Sequence, residues 1–455
     1  MQVTAIFDIG KTHKKFLLFD ESFNIIAEEA RRIPEIVDDE GFACDDLTAI
    51  TTWIKEQIRS TQEAGQYTIT KINFSTYGAS LVHLDEHGEP LTPLYNYLKP
   101  IPDEVKASFY AKHGDPSEIA AQTSSPELGF LNSGLQMYWL KYSKPDVYAQ
   151  IDRTLHFPNY LAYLLHGQKV CEYTSIGCHT ALWNFQHADY HAWVKDEGIN
   201  DKFPEVVDTR TTYTSADTPD VEIGVGIHDS SAALIPYILQ SPKQFVLLST
   251  GTWNITMNPF NHEPLDVEGL NRDSLHYFSF GGDPVKANRL FLGNEHDRCN
   301  TMISSHFGKD KLYHRGISFD ESLVMKLMAK KGCAEPFDLT AYYSYTDSLA
   351  PLGDDLSFED FDTYEEAYTD MVIKLAACQA QSIMYAVEGS NIEDIFVTGG
   401  FIDNEIFIRL LAKHFVDKRV YATSIQQASA LGAALVMSPQ SHDYYHNIFT
   451  AEKVW

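Results

Sequence analysis

The chain has 455 residues, a length that predicts two or three domains of roughly 150 residues each. Its 63 acidic and 35 basic residues give a formal net charge of -28. That average field repels a phosphate backbone and argues against nucleic acid as the main partner. With 44% hydrophobic and 13% aromatic residues, the chain has enough apolar side chains to build large buried cores.

The sequence gives no sign of membrane insertion or secretion. No apolar run approaches the roughly 18 residues that span a bilayer, and the first residues lack the basic leader and apolar stretch of a signal peptide. We therefore expect a cytoplasmic protein without a membrane partner. The six cysteines contain no Cys-x-x-Cys pair, so we expect them to be reduced and mostly buried.

In chain order, the first predicted elements are an antiparallel meander followed by a helix and another strand. Short apolar, β-branched runs separated by turns predict the strands, and apolar residues at helical spacing predict the helix. This alternation predicts an α/β or α+β protein with mixed sheets. The predicted strands are 3–8, 15–19, 24–28 and 68–75, and the predicted helix is Leu47–Ala64.

The second half of the chain repeats the pattern of the first. A hairpin with Thr and Gly at its turn is predicted at 245–257, and helices and strands alternate from residue 364 to residue 437. Two such hairpins, one near the start of each half, predict two related domains. We place the N-terminal domain at 1–240 and the C-terminal domain at 241–455. No low-complexity linker separates them, so we expect a cleft between closely packed halves.

The first motif that could carry chemistry is the turn between the first two strands, from Asp8 to Lys15. The glycine in this turn lets backbone N–H groups approach phosphate oxygens, while threonine and lysine side chains supply further donors and charge. Asp8, at the end of its strand, is suited to hold Mg²⁺ beside those phosphates. An ordinary hairpin turn with solvated lysines is the alternative. We expect the three lysines of this turn to meet those phosphates; this basic cluster consists of Lys11, Lys14 and Lys15.

The second motif is His228-Asp229-Ser230, which follows two glycines and precedes an apolar run. This order predicts a carboxylate and an imidazole at the start of a helix. There Asp229 could act as a general base that takes the proton of a polyol hydroxyl. The alternative is that Asp229 or Ser230 only caps the helix.

The third motif is Gly399-Gly400, at the end of a predicted strand. Glycines at this place would let a flat ring or a ribose lie against the backbone, as a nucleotide requires. They fit an ordinary turn between a strand and a helix equally well.

Taken in order, the three motifs resemble the FGGY family of carbohydrate kinases, whose members use a duplicated actin-like (ribonuclease H-like) ATPase fold. The resemblance covers most of the chain, from residue 5 to about residue 437, and is closest to the L-rhamnulokinase and L-fuculokinase branch. It implies an α/β fold in which two actin-like domains with mixed sheets flank a central cleft. The additional matching segments are 75–88, 157–167, 172–184 and 248–253.

The resemblance also implies roles for individual residues. Asp229 matches the catalytic base, and Asp8 would lie near Mg²⁺. The substrate side would be formed by Thr76, Tyr77, Gly78, His228 and Ser230. ATP would be bound by the first phosphate loop (Gly10, Lys11, Thr12, His13 and Lys15), the second phosphate hairpin (Thr250, Gly251 and Thr252) and the adenosine-side glycines (Gly399 and Gly400).

The activity that the resemblance implies is transfer of the γ-phosphoryl group of ATP, with Mg²⁺, to a primary hydroxyl of a ketose. The first candidates are 6-deoxy-ketohexoses such as L-rhamnulose or L-fuculose. Xylulose, ribulose or glycerol as substrate, a regulator without turnover, and a homodimer remain open. Departures from the family pattern include Phe401, where a third glycine is usual, Tyr77 in the sugar-side motif, and Leu290, where the branch has asparagine.

Overall fold

The computed structural model describes residues 1–353, 358, 360–438 and 450–454. The first half holds a large sheet, several short strand pairs and nine α-helices within these described residues. Its strands are β1 Gln2–Ile9, β2 Lys14–Phe19, β3 Ile25–Arg31, β4 Ile36–Val37, β5 Ala43–Cys44, β6 Thr68–Thr76, β7 Leu81–Leu84, β8 Arg153–His156, β9 Cys171–Glu172, β10 Trp183–Asn184, β11 Asp189–Tyr190, β12 Val206–Val207, β13 Thr212–Tyr213, β14 Glu222–Gly224 and β15 Ile227–His228. Its helices are α1 Leu47–Ala64, α2 Asp103–His113, α3 Pro116–Thr123, α4 Gly134–Ser143, α5 Pro145–Gln150, α6 Phe157–His166, α7 Tyr173–Ile176, α8 Ala192–Asp196 and α9 Asp229–Gln240.

The second half holds one large sheet and a set of helices that pack against it. Its strands are β16 Phe245–Thr250, β17 Asn254–Asn258, β18 Ser274–Phe278, β19 Pro284–Leu290, β20 Asp394–Gly399, β21 Arg419–Thr423 and β22 Ala451–Lys453. Its helices are α10 Val267–Asn271, α11 Leu292–His306, α12 Glu321–Lys331, α13 Leu339–Tyr342, α14 Tyr364–Val387, α15 Glu405–His414 and α16 Ala428–Leu435.

The two large sheets share one topology. The first has the order β13-β14-β6-β1-β2-β3 with β15 beside β6, and the second has the order β18-β19-β17-β16-β20-β21-β22. In both, an antiparallel meander continues into parallel strands: β3-β2-β1-β6-β14 corresponds to β19-β17-β16-β20-β21. The predicted class, mixed α/β with two related sheet-containing halves, is confirmed.

Helix α1 shows how local sequence sets these elements. Asp46 caps its start by accepting a hydrogen bond from Ala49 N–H, and Gly65 ends it in the left-handed conformation. Its buried side includes Trp53, whose ring meets Phe7 of β1 edge to face at 5.8 Å between centroids. The helix therefore covers the outer face of the first sheet and leaves the other face for the cleft.

Helices α9 and α16 lie between the two sheets and connect the halves. Leu234 of α9 belongs to the same apolar cluster as Phe245 of the second sheet, and Leu431 of α16 clusters with Ile6 and Leu17 of the first sheet. Each half thus contributes a helix that packs on the other half. The predicted limit at residue 240 coincides with the end of α9 and stays a prediction. The cysteines are free thiols; five are buried and Cys333 is partly exposed.

Candidate active site

A cleft of about 360 Å³ separates the facing surfaces of the two sheets. Asp8 and Lys15 are opposite one another in the register of β1 and β2, so both side chains project from the same face of the first sheet. Asp229 and Ser230 line the same cleft, and Gly399 lies on its far wall. The structure therefore brings together the predicted base, the predicted metal residue and one predicted phosphate residue.

Asp229 is the first residue of α9, directly after the short strand β15. The residue at the cap position is His228, so Asp229 does not serve as the N-cap. Its Oδ1 accepts a hydrogen bond from Ser230 N–H at 2.6 Å, and 35% of its side chain remains exposed toward the cleft. Desolvation by the surrounding walls raises the pKa of Asp229 to about 6. The carboxylate can therefore accept a proton near neutral pH.

His228 lies beside this carboxylate and is buried. Its Nε2 is 3.3 Å from Asp229 Oδ1 and 3.2 Å from Cys178 Sγ. Burial lowers the pKa of His228 to about 4, so the imidazole is neutral at physiological pH. Gly78 allows this arrangement, because a Cβ at that position would lie 2.6 Å from Cys178 Sγ and 3.1 Å from the imidazole.

Asp8 faces the cleft from the end of β1 and is only 9% exposed. Ser429 Oγ donates a hydrogen bond to Asp8 Oδ2 at 3.0 Å. Burial, and then the charge of Asp229, raise the pKa of Asp8 to about 6. A buried carboxylate whose ionisation is disfavoured by a second carboxylate nearby fits a divalent cation.

The kind of cation can also be judged from the ligand set. The described residues contain no group of three or more His, Cys, Asp or Glu side chains arranged to hold a metal ion. A site with one or two carboxylates suits Mg²⁺, which keeps several water ligands and is otherwise held by substrate phosphates. Asp8 is the residue that would hold it, directly or through water.

The structure divides the basic cluster of the first turn. Lys15 reaches the cleft and donates to Gln427 Oε1 at 2.6 Å. Lys14 is fully buried and donates to Asp45 at 2.7 Å, which corrects the expectation that all three lysines meet the phosphates. The cause is strand alternation, which turns Lys14 to the opposite face of the sheet from Lys15. Lys11 donates to the other oxygen of Asp45 at 2.6 Å, and its predicted phosphate contact stays a prediction.

The rest of the first turn has the geometry of a tight hairpin. Gly10 N–H donates to the carbonyl of His13 at 3.0 Å, and Thr12 and His13 are exposed at the tip. The predicted substrate residues Thr76 and Tyr77 are buried. Thr76 Oγ1 donates to the Tyr77 carbonyl, and the Tyr77 hydroxyl donates to Asp45 at 2.7 Å. The phosphate and substrate roles of these residues stay predictions.

A second cavity, of about 600 Å³, opens beside the second hairpin. Its volume lies within the range of small-molecule sites. Gly251, Thr252 and Gly400 line it, and their nucleotide-binding role stays a prediction. Gly399 has φ +91°, and a Cβ there would lie 1.9 Å from the Thr250 carbonyl oxygen, so this position requires glycine. The further lining residues include Gly293, Asn294, His296, Tyr368, Phe401 and Asn404.

Phe401, which departs from the family pattern, forms part of the wall of this second cavity. Its ring meets His296 edge to face at 5.5 Å and packs against Phe407 at 4.7 Å. Its backbone N–H donates to Thr250 Oγ1 at 3.0 Å, which ties the Gly399-Gly400 turn to the second hairpin. Phe401 therefore lines the cavity without breaking the contact between the two predicted nucleotide loops.

Sequence reasoning missed several residues that line these cavities. Gln427 and Ser429 contact Lys15 and Asp8 across more than 400 residues of chain, and their local sequence carries no mark of that contact. Asn404 and Tyr368 share a hydrogen bond of 3.0 Å in the second cavity. Asn404 lies four residues after Gly400, so its position just after the Gly-Gly turn is the sequence feature that could have indicated its place in the cavity.

Comparison with known proteins gives one family match and several relatives. Residues 3–230, half of the chain, match the FGGY family of carbohydrate kinases, N-terminal domain. A rhamnulokinase from Halalkalibacterium halodurans is 25% identical, over 95% of this chain and 92% of its own length. A probable L-xylulose kinase from Pasteurella multocida is 25% identical, over 56% of this chain and 55% of its own length.

Solved structures share the same fold. A carbohydrate kinase from Novosphingobium aromaticivorans superposes with a TM-score of 0.77 at 24% identity, over 99% of this chain and 93% of its own. A ligand-bound xylulose kinase from Lactobacillus acidophilus gives a TM-score of 0.78 at 16% identity, over 100% of this chain and 93% of its own. In the described part of the chain, none of the helices combines the length and the hydropathy that crossing a membrane requires.

Proposed function

The chain belongs to the FGGY family of carbohydrate kinases and is an ATP-dependent sugar kinase, and we propose that it phosphorylates a primary hydroxyl of a ketose with Asp229 as general base. One observation carries this assignment. The Asp229 carboxylate is exposed in the cleft, its pKa is raised to about 6, and Lys15 and Asp8 line the same cleft. A base of that pKa is largely ionised at neutral pH and still basic enough to take a hydroxyl proton.

In the proposed reaction, the substrate hydroxyl gives its proton to Asp229 as its oxygen attacks the γ-phosphorus of ATP. A new bond forms between that oxygen and phosphorus, and the bond from phosphorus to the bridging oxygen breaks, releasing ADP. Lys15 stabilises negative charge on the transferring group. Neutral His228 lies against one side of Asp229, with its Nε2 3.3 Å from the carboxylate. Closure of the cleft around both substrates would exclude water from the reacting atoms.

Mg²⁺ fits the carboxylate side of the cleft and would be held there by Asp8. When bound, it supplies positive charge that offsets the phosphate oxygens. Asp8 itself keeps its orientation through the hydrogen bond from Ser429. ATP would extend from the cleft toward the second cavity, past Gly251, Thr252 and Gly400.

We propose a 6-deoxy-ketohexose such as L-rhamnulose or L-fuculose as the first candidate substrate. The similarity to a rhamnulokinase over nearly the whole length of both chains supports it. A ketopentose is the second candidate, supported by the similarity to a probable L-xylulose kinase. Two buried residues, Tyr77 and Leu290, depart from the pattern of the L-rhamnulokinase and L-fuculokinase branch. These departures are consistent with a different sugar as substrate.

A coupled assay of ADP formation tests the substrate assignment. The purified chain is supplied with Mg·ATP and, in turn, L-rhamnulose, L-fuculose, L-xylulose, D-xylulose, L-ribulose, D-ribulose and glycerol. The proposal predicts the highest kcat/KM for one of the two 6-deoxy-ketohexoses. A higher kcat/KM for a ketopentose would assign the second candidate, and turnover of glycerol alone would refute both.

Two further parts of the assignment concern the whole molecule. We propose that the enzyme works in the cytoplasm, because the six cysteines are free thiols and ATP is abundant there. Its proposed partners are the sugar and ATP. Light scattering of the purified chain distinguishes a monomer from a homodimer.

A further inference from the structure

Gln427 bridges two charged side chains at the edge of the cleft. Its Oε1 accepts from Lys15 Nζ at 2.6 Å, and its Nε2 donates to Glu28 Oε1 at 2.8 Å. Gln427 lies immediately before α16, in the second half of the chain, whereas Lys15 and Glu28 lie on β2 and β3 of the first sheet. The amide thus connects a segment of the second half to the strand that carries the cleft-facing lysine.

Without this amide, Lys15 and Glu28 could pair directly. Lys15 is opposite Ala30 in the register of β2 and β3, so Glu28 is its diagonal neighbour on the same face of the sheet. Long side chains at diagonal positions of adjacent strands reach each other. The side-chain carbonyl of Gln427 accepts a hydrogen bond from Lys15, and its side-chain NH₂ donates one to Glu28. The amide therefore lies between the two charges and keeps them apart. A neutral acceptor holds the ammonium group without neutralising it, and two of its three N–H donors are left for a phosphate.

The backbone at Gln427 adds a second, independent observation. Gln427 has φ +52°, in the left-handed region that favours glycine and that bulky residues rarely adopt. Non-glycine residues in this conformation concentrate at functional sites, where the surrounding structure holds them in place. Two residues later, Ser429 Oγ donates to Asp8. The start of α16 therefore contacts both charged residues that β1 and β2 present to the cleft.

We propose that Gln427 is a positioning residue for the kinase reaction: it holds Lys15 toward the γ-phosphoryl group of ATP and prevents its capture by Glu28. This inference deepens the proposed function and rests on it, because it requires Lys15 to contact the transferred phosphoryl group. Gln427 itself touches neither the sugar nor the phosphate in this account.

Nucleotide affinity tests the inference without knowledge of the sugar. Calorimetry measures the affinity of the full chain for the Mg²⁺ complexes of a nonhydrolysable ATP analogue and of ADP, which lacks the γ-phosphoryl group. Gln427→Met keeps the side-chain length and removes both hydrogen bonds. It should weaken binding of the analogue at least about tenfold, as expected for one charge-assisted hydrogen bond, and change ADP affinity less than about twofold. The adjacent, exposed Gln426 provides the matched control, Gln426→Met, which should change neither affinity.

A second substitution distinguishes positioning from general support of the fold. Glu28→Gln added to Gln427→Met removes the competing carboxylate and should restore most of the analogue affinity. No restoration, an equal loss of ADP affinity, or an unchanged analogue affinity in Gln427→Met would each overturn the inference. If Gln427→Met does not fold, Gln427→Gly, which relieves the left-handed strain, should give the same selective loss. Lys15→Met distinguishes failure of this inference from failure of the proposed function. An unchanged analogue affinity in that variant refutes the proposed role of Lys15 itself.

Discussion

The acid limb of the pH profile tests the proposed base through its perturbed ionisation. Asp229 has a pKa raised to about 6 from the ordinary 3.8, because the cleft walls desolvate its carboxyl. With a pKa of about 6, the base is about 90% ionised at pH 7 and about 10% ionised at pH 5. An aspartate of ordinary pKa would still be about 94% ionised at pH 5. We therefore expect kcat/KM for the neutral sugar to fall about tenfold between pH 7 and pH 5.

Asp8 should add little to this limb: its pKa is raised to about 6 in the free protein, but the Mg²⁺ that it is proposed to hold at saturating Mg·ATP favours its ionised form. The slope of log kcat/KM against pH should therefore approach one below the midpoint. The assay follows ADP formation at saturating Mg·ATP, with enzyme stability checked at each pH. A wild-type profile that stays flat to pH 5 would refute the assignment of a desolvated carboxylate base.

Three further predictions concern stability. A raised native pKa means that ionisation of Asp8 opposes folding: its cost is absent below about pH 4, grows as the pH rises, and is complete above about pH 6. Asp8→Asn should therefore increase the free energy of unfolding at pH 8 by up to about 3 kcal/mol, seen as a higher thermal midpoint, and should give no increase at pH 4. An equal increase at both pH values would contradict this prediction. Asp45→Asn leaves the fully buried Lys14 ammonium without its carboxylate and should cost about 3–5 kcal/mol, measured by denaturant unfolding; a change below about 1 kcal/mol would show that Lys14 finds another partner. Gly399→Ala should cost more than about 2 kcal/mol because its Cβ meets the Thr250 carbonyl, whereas Gly400→Ala, which meets nothing within 4 Å, should be nearly neutral in the same thermal unfolding assay; equal midpoints would contradict the argument.

The fold could be predicted from local patterns because its main elements carry strong periodic signals. The helix expected at Leu47–Ala64 has the same bounds in the structure, and both hairpins with glycine at the turn are present. Asp229 at the start of a helix also follows from its local sequence. Each of these features depends on residues close together in the chain, and propensity and spacing describe such features well.

The features that could not be predicted depend on contacts distant in sequence. The partner of Lys14 is Asp45, and that of Lys15 is Gln427, 412 residues away. Three nearby lysines look alike in sequence, but strand alternation buries Lys14 and leaves Lys15 in the cleft. The left-handed conformation of Gln427 likewise stands immediately before α16, which packs on the first sheet. Tertiary packing therefore determines which of several similar residues reaches the site.

Replacement of the base tests the central claim most directly. Asp229→Asn keeps the size and the polar contacts of the side chain but removes its ability to accept a proton. With the sugar that the wild-type enzyme prefers, we expect kcat for ADP formation to fall about 10²- to 10⁴-fold while the protein remains folded. The exposed Asp220, changed to asparagine, gives a control with the same change in net charge and should keep wild-type kcat. A kcat for Asp229→Asn within about threefold of wild type would contradict the account of Asp229 as the catalytic base.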